Sequence, residues 1–359
     1  MPRSAANLHN LDYRAEAESF GAPAVPITDL HTHLRGREAV SVFRDAADCY
    51  GIAHVLTMTP LEHVDGVTDV LGDRARFIAV PDWRSDNPQH AHGAGFDKRI
   101  RQFADIGAPL VKFWAAPRAQ QYAREMGEPR LFDLDGPVRR RQMELAASLG
   151  MGIMTHIADP DTWFHTTYAD AAQWGTKTQQ YEPLETMLDD VNVPWVAAHM
   201  GGWPEDLDFL DGLLARHDNL HLDTSATKWM VRELSRHDTP RLTKFLGQWS
   251  GRICFGSDIV AQIDHLSPSA DEGMAAKASS PAEAFDLYAS RYWALRTLWE
   301  RTWCGASPIA DPDLHMMDAA VDPLAPSRIK GHGLDHDLLQ DLYAGAATRL
   351  LDQLCCATE

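Results

Sequence analysis

His31 and His33 stand two residues apart in the run Pro26-Ile27-Thr28-Asp29-Leu30-His31-Thr32-His33. The run reads as a short strand. Side chains alternate along a strand, so Asp29, His31 and His33 share one face, successive ones about 6–7 Å apart. Two imidazoles so placed converge on one metal ion where a strand ends. The same pattern also describes a pair of surface histidines. Later strand-like runs add further polar residues: one carries Lys112, and others end at His156, His199 and Asp258. Imidazoles with one carboxylate suit Zn²⁺, or another borderline divalent ion, by ligand type.

The elements that must position these residues recur along the chain. After the first run come His54–Thr59, Arg76–Pro81, Pro109–Trp114, Met151–His156, Pro194–His199, Asn219–Thr224 and Arg252–Asp258. Most are apolar throughout, as strands buried on both faces of a parallel sheet are. Helical spacing covers Gly36–Tyr50, Leu61–Leu71, Phe96–Ile106, Gly136–Leu149 and Tyr181–Asp190. It also covers Pro204–Ala215, with proline in the first turn, and 227–249, broken near Pro240. This alternation predicts an α/β fold, a (β/α)₈ TIM barrel, with a C-terminal helical extension. The extension has helices over Pro281–Trp303 and Leu334–Leu351, separated by a Pro-, Asp- and Gly-rich stretch, 304–333. The expected division is an N-terminal arm, 1–25, a single barrel domain, 26–352, and a short tail, 353–359. Strand C-termini ring the active site of such a barrel, and the long connections Ala116–Asp135 and Ala158–Gln179 could form a lid.

The order of ligand types resembles the amidohydrolase superfamily: His-x-His after the first strand, His after the fifth and sixth, Asp after the eighth. The contexts Thr28-Asp29-Leu30-His31-Thr32-His33, Ala198-His199-Met200-Gly201-Gly202 and Phe255-Gly256-Ser257-Asp258 look most like the branch that includes amidohydrolase-related decarboxylases. The run Leu338–Leu351 resembles that branch's last helix, departing at Ala346, where Asn is common. The resemblance spans about residues 26–352. It implies one ion, Zn²⁺, held by His31, His33, His156 and Asp258, with a water in an open position whose pKa falls toward ~7. Asp258 would take a proton from that water and return it to the leaving group. His199 would be a nearby catalytic residue that polarises the substrate carbonyl. Some superfamily members instead carboxylate a strand-four lysine to bridge two metals. Lys112 would then be that bridge, and His199 would serve the second ion. Otherwise Lys112 pairs with a carboxylate or a substrate anion.

Trp114, Arg118, Trp163, His165, Trp203, Thr224 and Trp229 follow strands on the same expected face and suggest a wall for an aromatic or planar substrate. Tryptophans equally pack cores. Arg118 and Lys228 could hold a carboxylate. His9, His63, His90, His92, His217, His237, His265, His315, His332 and His336 fall mainly in loops or helices and are assigned to the surface.

Composition bounds the partners. The chain has 359 residues, 45% hydrophobic and 23% charged, with a formal net charge of -18. That balance argues against nucleic-acid binding, which needs basic surface. Cys49, Cys254, Cys304, Cys355 and Cys356 form no Cys-x-x-Cys pattern, which fits reduced thiols. Met1–Phe20 lacks the apolar segment of a signal peptide, and no apolar run approaches the ~20 residues of a membrane span. A cytoplasmic enzyme acting on a small molecule is expected, with the aromatic 281–303 helix available for a homo-oligomer. Hydrolysis of an amide, lactone or ester ranks slightly ahead of metal-dependent decarboxylation of an aromatic or unsaturated acid. A metal-binding barrel without turnover is the third reading.

Overall fold

Strand β1 spans Ile27–Leu34 and is buried along almost its whole length. The computed structural model containing it describes residues 4–268 and 277–356. Residues 1–3 of the expected arm, 357–359 of the expected tail and the side chains of Cys355 and Cys356 lie outside the described residues. In chain order β2 (Ile52–Thr57), β3 (Ala75–Ala79), β4 (Leu110–Trp114), β5 (Gly152–His156), β6 (Trp195–Ala197) and β7 (Leu220–Asp223) follow. Next come β8 (Ile253–Cys254) and β9 (Ile259–Ala261). Helices separate the strands from β1 to β8. The protein is therefore α/β, with the strand–helix succession of a (β/α)₈ barrel.

The chain packs as two compact units. One comprises Met1–Thr57, Glu62–Ala75 and Thr224–Ala347; the other comprises Met58–Leu61, Arg76–Asp223 and Thr348–Glu359. In the first unit β1 pairs in parallel with β2 and with β9. Helices Arg37–Cys49 and Pro281–Glu300 cover the sheet with Phe43, Tyr288 and Tyr292, whose rings lie 6.3 Å apart in the Phe43–Tyr288 and Phe43–Tyr292 pairs. Each fully buried side chain of this size contributes about 1.5–3 kcal/mol relative to exposure.

In the second unit β3 to β7 run parallel with their order following the chain. Ile78, Val111, Ile153, Val196 and Leu222 are fully buried there. That is why these strands show continuous apolar runs and no alternation.

Several expected elements differ. Pro204 does not open a helix: Leu207–Arg216 starts later, capped by the Asp206 side chain on the Phe209 N–H at 2.9 Å. A proline fixes its own φ but supplies no acceptor for the orphan amides of a first turn, and an aspartate does. The connection Ala116–Asp135 contains the helix Pro117–Glu125. The expected strand Arg252–Asp258 ends at Cys254, and the chain turns before β9. The 304–333 stretch holds an antiparallel hairpin, β10 (Cys304–Ala310) with β11 (Pro326–Lys330). Its prolines and glycines masked the strands. The expected Leu334–Leu351 helix is interrupted by a π-helical turn, Asp341–Gly345.

Four histidines assigned to the surface are buried: His92, His217, His265 and His332. Imidazoles enter a core when partnered or neutral. His265 meets the Tyr288 hydroxyl at 2.9 Å, and His332 meets the Leu234 carbonyl at 3.1 Å.

Candidate metal centre

The first unit brings three of the sequence-predicted ligands together. His31 and His33 project from the end of β1. Asp258 sits one residue before β9, and the register Thr32↔Ile259 and His33↔Val260 sets it beside His31. Main-chain bonds fix that neighbour relation: Leu30 N–H donates to the Phe255 carbonyl at 2.9 Å and Asp258 N–H to the His31 carbonyl at 2.8 Å. Asp258 Oδ1 lies 3.5 Å from His31 Nε2 and 3.2 Å from His33 Nε2. One donor atom from each of the three residues falls within 4.8 Å of the others. Ligands about 2.0–2.2 Å from a tetrahedral ion lie roughly 3.3 Å from one another. The donor set and its spacing therefore fit a Zn²⁺-sized ion. The His31 side chain is 1% exposed, whereas His33 and Asp258 are 37% and 32% exposed. One side of the cluster is thus packed and the other open.

A supporting layer orients these ligands. Ser225 Oγ lies 3.0 Å from His31 Nδ1. A bond at Nδ1 leaves Nε2 as the nitrogen directed toward Asp258. Asp258 has φ 59°, in the left-handed region. Aspartate tolerates that region better than most residues. Gly256, in the preceding turn, is closely approached: a Cβ there would lie 3.1 Å from the Cβ atoms of both His31 and Ser225, so those residues would have to give by a few tenths of an ångström.

Beneath the turn lies Asp29, fully buried. Its carboxyl accepts from Ser257 N–H at 3.0 Å, Ser257 Oγ at 2.5 Å, Tyr292 OH at 2.9 Å and His31 N–H at 3.2 Å. Burial pushes the Asp29 carboxyl up to about 7 against the lowering effect of these donors. Sequence reasoning placed Asp29 on the histidine face but gave it no role. Ser225, Ser257 and Tyr292 carried no local signal.

The second unit holds the other predicted ligands. His156 ends β5, opposite Trp114 at the end of β4, and Lys112 pairs with Met154 in the same register. Paired residues of parallel strands face the same way, so Lys112, Trp114 and His156 share one face. His156 Nε2 meets Asp159 Oδ1 at 2.9 Å, and the Tyr168 hydroxyl donates to Asp159 Oδ2 at 2.9 Å. The His199 ring packs edge-on to that of His156, centroids 4.5 Å apart. His199 itself has φ 60°, and its N–H donates to Asp223 Oδ1 at 2.8 Å. Gly202 closes the turn: a Cβ there would come 2.2 Å from the Ala158 carbonyl oxygen. Asp159 and Asp223 had not been singled out.

The expected substrate wall divides. Trp114 meets Trp83 at 5.7 Å, Trp163 meets Tyr168 at 5.7 Å, and Trp203 stacks on Tyr181 at 5.7 Å with Lys177 over its ring. Trp83, 45% exposed, is an aromatic that the sequence reading passed over. Arg118 and His165 are exposed. In the first unit Thr224 is fully buried and its Oγ1 accepts from Gly256 N–H at 3.2 Å, and Trp229 Nε1 donates to Asp313 at 2.9 Å.

No family model matches this chain. No curated protein matches it either. Among solved structures it is similar to a 2,6-dihydroxybenzoate decarboxylase from Rhizobium, at 14% identity and TM-score 0.41, covering 73% of this chain and 98% of that one. It is also similar to an amidohydrolase from Burkholderia multivorans, at 12% identity and TM-score 0.42, covering 92% and 100%. A third is a 5-carboxyvanillate decarboxylase from Novosphingobium aromaticivorans, in complex with manganese, at 11% identity and TM-score 0.42, covering 92% and 96%. Among the described residues no helix is long and apolar enough to cross a membrane.

Proposed function

We propose that this chain is a metal-dependent enzyme of the amidohydrolase type, a hydrolase acting on an amide, lactone or ester of a small molecule. The single observation that carries the reading is the His31–His33–Asp258 cluster, with donor spacing matched to one divalent ion. His31 and His33 would bind the ion through Nε2 and Asp258 through Oδ1. The order of motifs in the chain adds His156 as the remaining ligand. Zn²⁺ is the proposed occupant, on the strength of an imidazole-rich donor set. When bound, a divalent ion supplies Lewis-acid activation of water or of a substrate oxygen.

The chain's own groups supply the rest. Asp258 Oδ2 would take a proton from the attacking water and return it to the leaving atom. The His199 imidazole, on a loop pinned by Asp223, would donate a hydrogen bond to the substrate carbonyl as negative charge develops there. Lys112 is assigned to substrate-anion contact, and one ion is proposed per chain. Trp114, Arg118, Trp163, His165, Trp203 and Thr224 remain the proposed substrate contacts. The cysteine usage supports the cytoplasm as the compartment.

The test is metal content and turnover on one sample. The chain purified with Zn²⁺ or Mn²⁺ should hold close to one equivalent. A panel of esters, lactones, amides and aromatic acids should yield a substrate. Asp258→Asn should weaken metal binding and, with Zn²⁺ supplied in excess so that the site stays loaded, should still lose turnover by at least about a hundredfold, as expected of a lost general base. Full turnover in Asp258→Asn would overturn the role of Asp258. CO₂ release without net consumption of water would replace hydrolysis with decarboxylation.

A further inference from the structure

A cavity of about 220 Å³ opens in the second unit, walled by residues of the two long connections that follow β4 and β5. Ala115, one residue past Trp114, belongs to its wall, with Gln120 of helix Pro117–Glu125 and with Asp133 and Asp135 beyond that helix. The connection after β5 supplies Trp174, Gln179 and Gln180. Asp135 and Gln179 are exposed and Gln180 is buried, so the cavity runs inward from solvent. Pockets for drug-sized ligands measure ~300–1,000 Å³, so this one suits something smaller.

Two of its amides are held with fixed polarity. Gln180 Nε2 donates to the carbonyls of Trp174 at 2.9 Å and Thr176 at 3.1 Å. A carbonyl only accepts, so this amide cannot be reversed, and Oε1 is the polar atom that Gln180 has left for the cavity. Gln179 is held the opposite way. Its Oε1 accepts from Thr176 N–H at 2.8 Å and from Thr176 Oγ1 at 3.2 Å, which leaves Nε2 as a donor. Gly175 permits this turn: its φ is 74°, and a Cβ there would lie 3.0 Å from Gln180 Nε2. Asp133 Oδ2 accepts from Arg130 Nε at 3.0 Å, leaving Oδ1 as an acceptor. The Gln120 side chain bonds to no other described residue.

We propose that this cavity binds a small neutral polyol, a monosaccharide or cyclitol, without need of the metal. A hydroxyl both donates and accepts, so neighbouring hydroxyls answer Gln180 Oε1 and Gln179 Nε2 together. The Asp133 and Asp135 carboxylates accept from further hydroxyls and repel anionic ligands. The Gln179 donor opposes an ammonium, which has nothing to accept with. Trp174 and Leu134 add apolar wall for the C–H face of a ring. A ligand seated there touches both connections and so clamps one to the other.

The experiment titrates the purified full chain by calorimetry with glucose, xylose and myo-inositol, and with cyclohexanol, glucosamine and glucuronate as comparators. Each titration is run with metal bound and after chelation. At least one polyol should bind at one equivalent, equally well in both states, and every comparator should bind at least about tenfold more weakly. Bound polyol should also slow proteolytic cleavage within 116–135 and 158–179. Gln120→Ala disturbs no contact of the fold and should weaken polyol binding about three- to tenfold, as loss of a neutral hydrogen bond does. Gln179→Glu keeps the acceptor that Thr176 uses but exchanges the donor for an oxygen, and should weaken binding about tenfold or more. Neither variant should change the circular dichroism spectrum, and should Gln179→Glu fold poorly, Gln120→Ala decides alone. Silence from every polyol, a comparator binding as tightly, or folded variants binding like the parent would overturn the proposal. Polyol binding lost on chelation would assign the ligand to the metal and overturn this site while sparing the metal-enzyme reading. Polyol binding in a chain that takes up no metal would do the reverse.

Discussion

Ser257 gives the buried Asp29 carboxylate two hydrogen bonds, from its N–H at 3.0 Å and its hydroxyl at 2.5 Å. The two residues flank the ligands: Asp29 precedes His31 by two positions, and Ser257 precedes Asp258 by one. The pair therefore ties the strand that carries the histidines to the turn that carries the carboxylate. Asp29→Ala should leave the Ser257 and Tyr292 donors without an acceptor and cost about 1–3 kcal/mol. It should also weaken metal binding about 10–100-fold, the usual effect of losing an orienting partner. Denaturant unfolding and competition with a chromogenic chelator check the two effects separately.

Ser225→Ala isolates the orientation of His31 from fold stability. It removes the group 3.0 Å from His31 Nδ1 and leaves the main chain untouched. Metal affinity should fall about tenfold or more. The melting temperature of the metal-free protein should move little. An unchanged metal affinity would show that His31 is held by packing alone.

Gly256→Ala tests how closely the turn approaches β1. The new methyl would meet the Cβ atoms of both His31 and Ser225 at 3.1 Å. Overpacking of this kind costs about 1–3 kcal/mol. The displacement falls on a ligand, so metal affinity should drop with stability. Chemical denaturation with and without Zn²⁺ reads both.

Acid should weaken the fold through histidines far from the metal. Burial holds His92 down to about 3, with Arg139 adding to the effect, and burial holds His332 down to about 4. Unfolded, each takes a proton near pH ~6.5. Between that pH and the folded values the unfolded chain binds more protons, so stability falls as pH falls, by up to about 1.4 kcal/mol per pH unit for each histidine. His92→Phe should flatten the pH dependence between about pH 6 and pH 4 relative to the parent. Urea unfolding across that range checks it.

Breaking the Arg232 network should unfold more than it rewires. Arg232 is buried and contacts Asp311 and Asp313 at 2.7 and 3.2 Å, and Glu233 through its Nε. Arg232→Ala takes that cation from Asp311 and Asp313, while Glu233 keeps Arg236 at 3.0 Å, a loss of about 3–5 kcal/mol. Arg232→Lys should recover only part of it, since one ammonium cannot reproduce a three-way fork. Melting temperatures of the two variants give the comparison.

The candidate ligands stand out in the sequence because strand periodicity is local. His31 and His33 two apart at a strand end, and Asp258 closing an apolar run, are readable from neighbours alone. What holds them is not local. Ser225 lies 194 positions from His31, and Tyr292 lies 263 positions from Asp29. No spacing rule links such pairs. The hairpin β10–β11 was hidden for a different reason: its strands are rich in residues that punctuate loops, and only pairing makes them strands. His92 was misplaced because a helical, polar context says nothing of the Trp83 and Phe132 rings that enclose it, at 4.4 and 4.8 Å.

The bond from Asp258 N–H to the His31 carbonyl belongs to the peptide frame and not to the donor atoms. The corner is therefore built by strand pairing, before any cation arrives. Chelation should empty it without melting it, and exposure to fresh Zn²⁺ should restore it at the speed of encounter, with no refolding lag. Such a protein would tolerate swings in metal supply by idling, ready to restart.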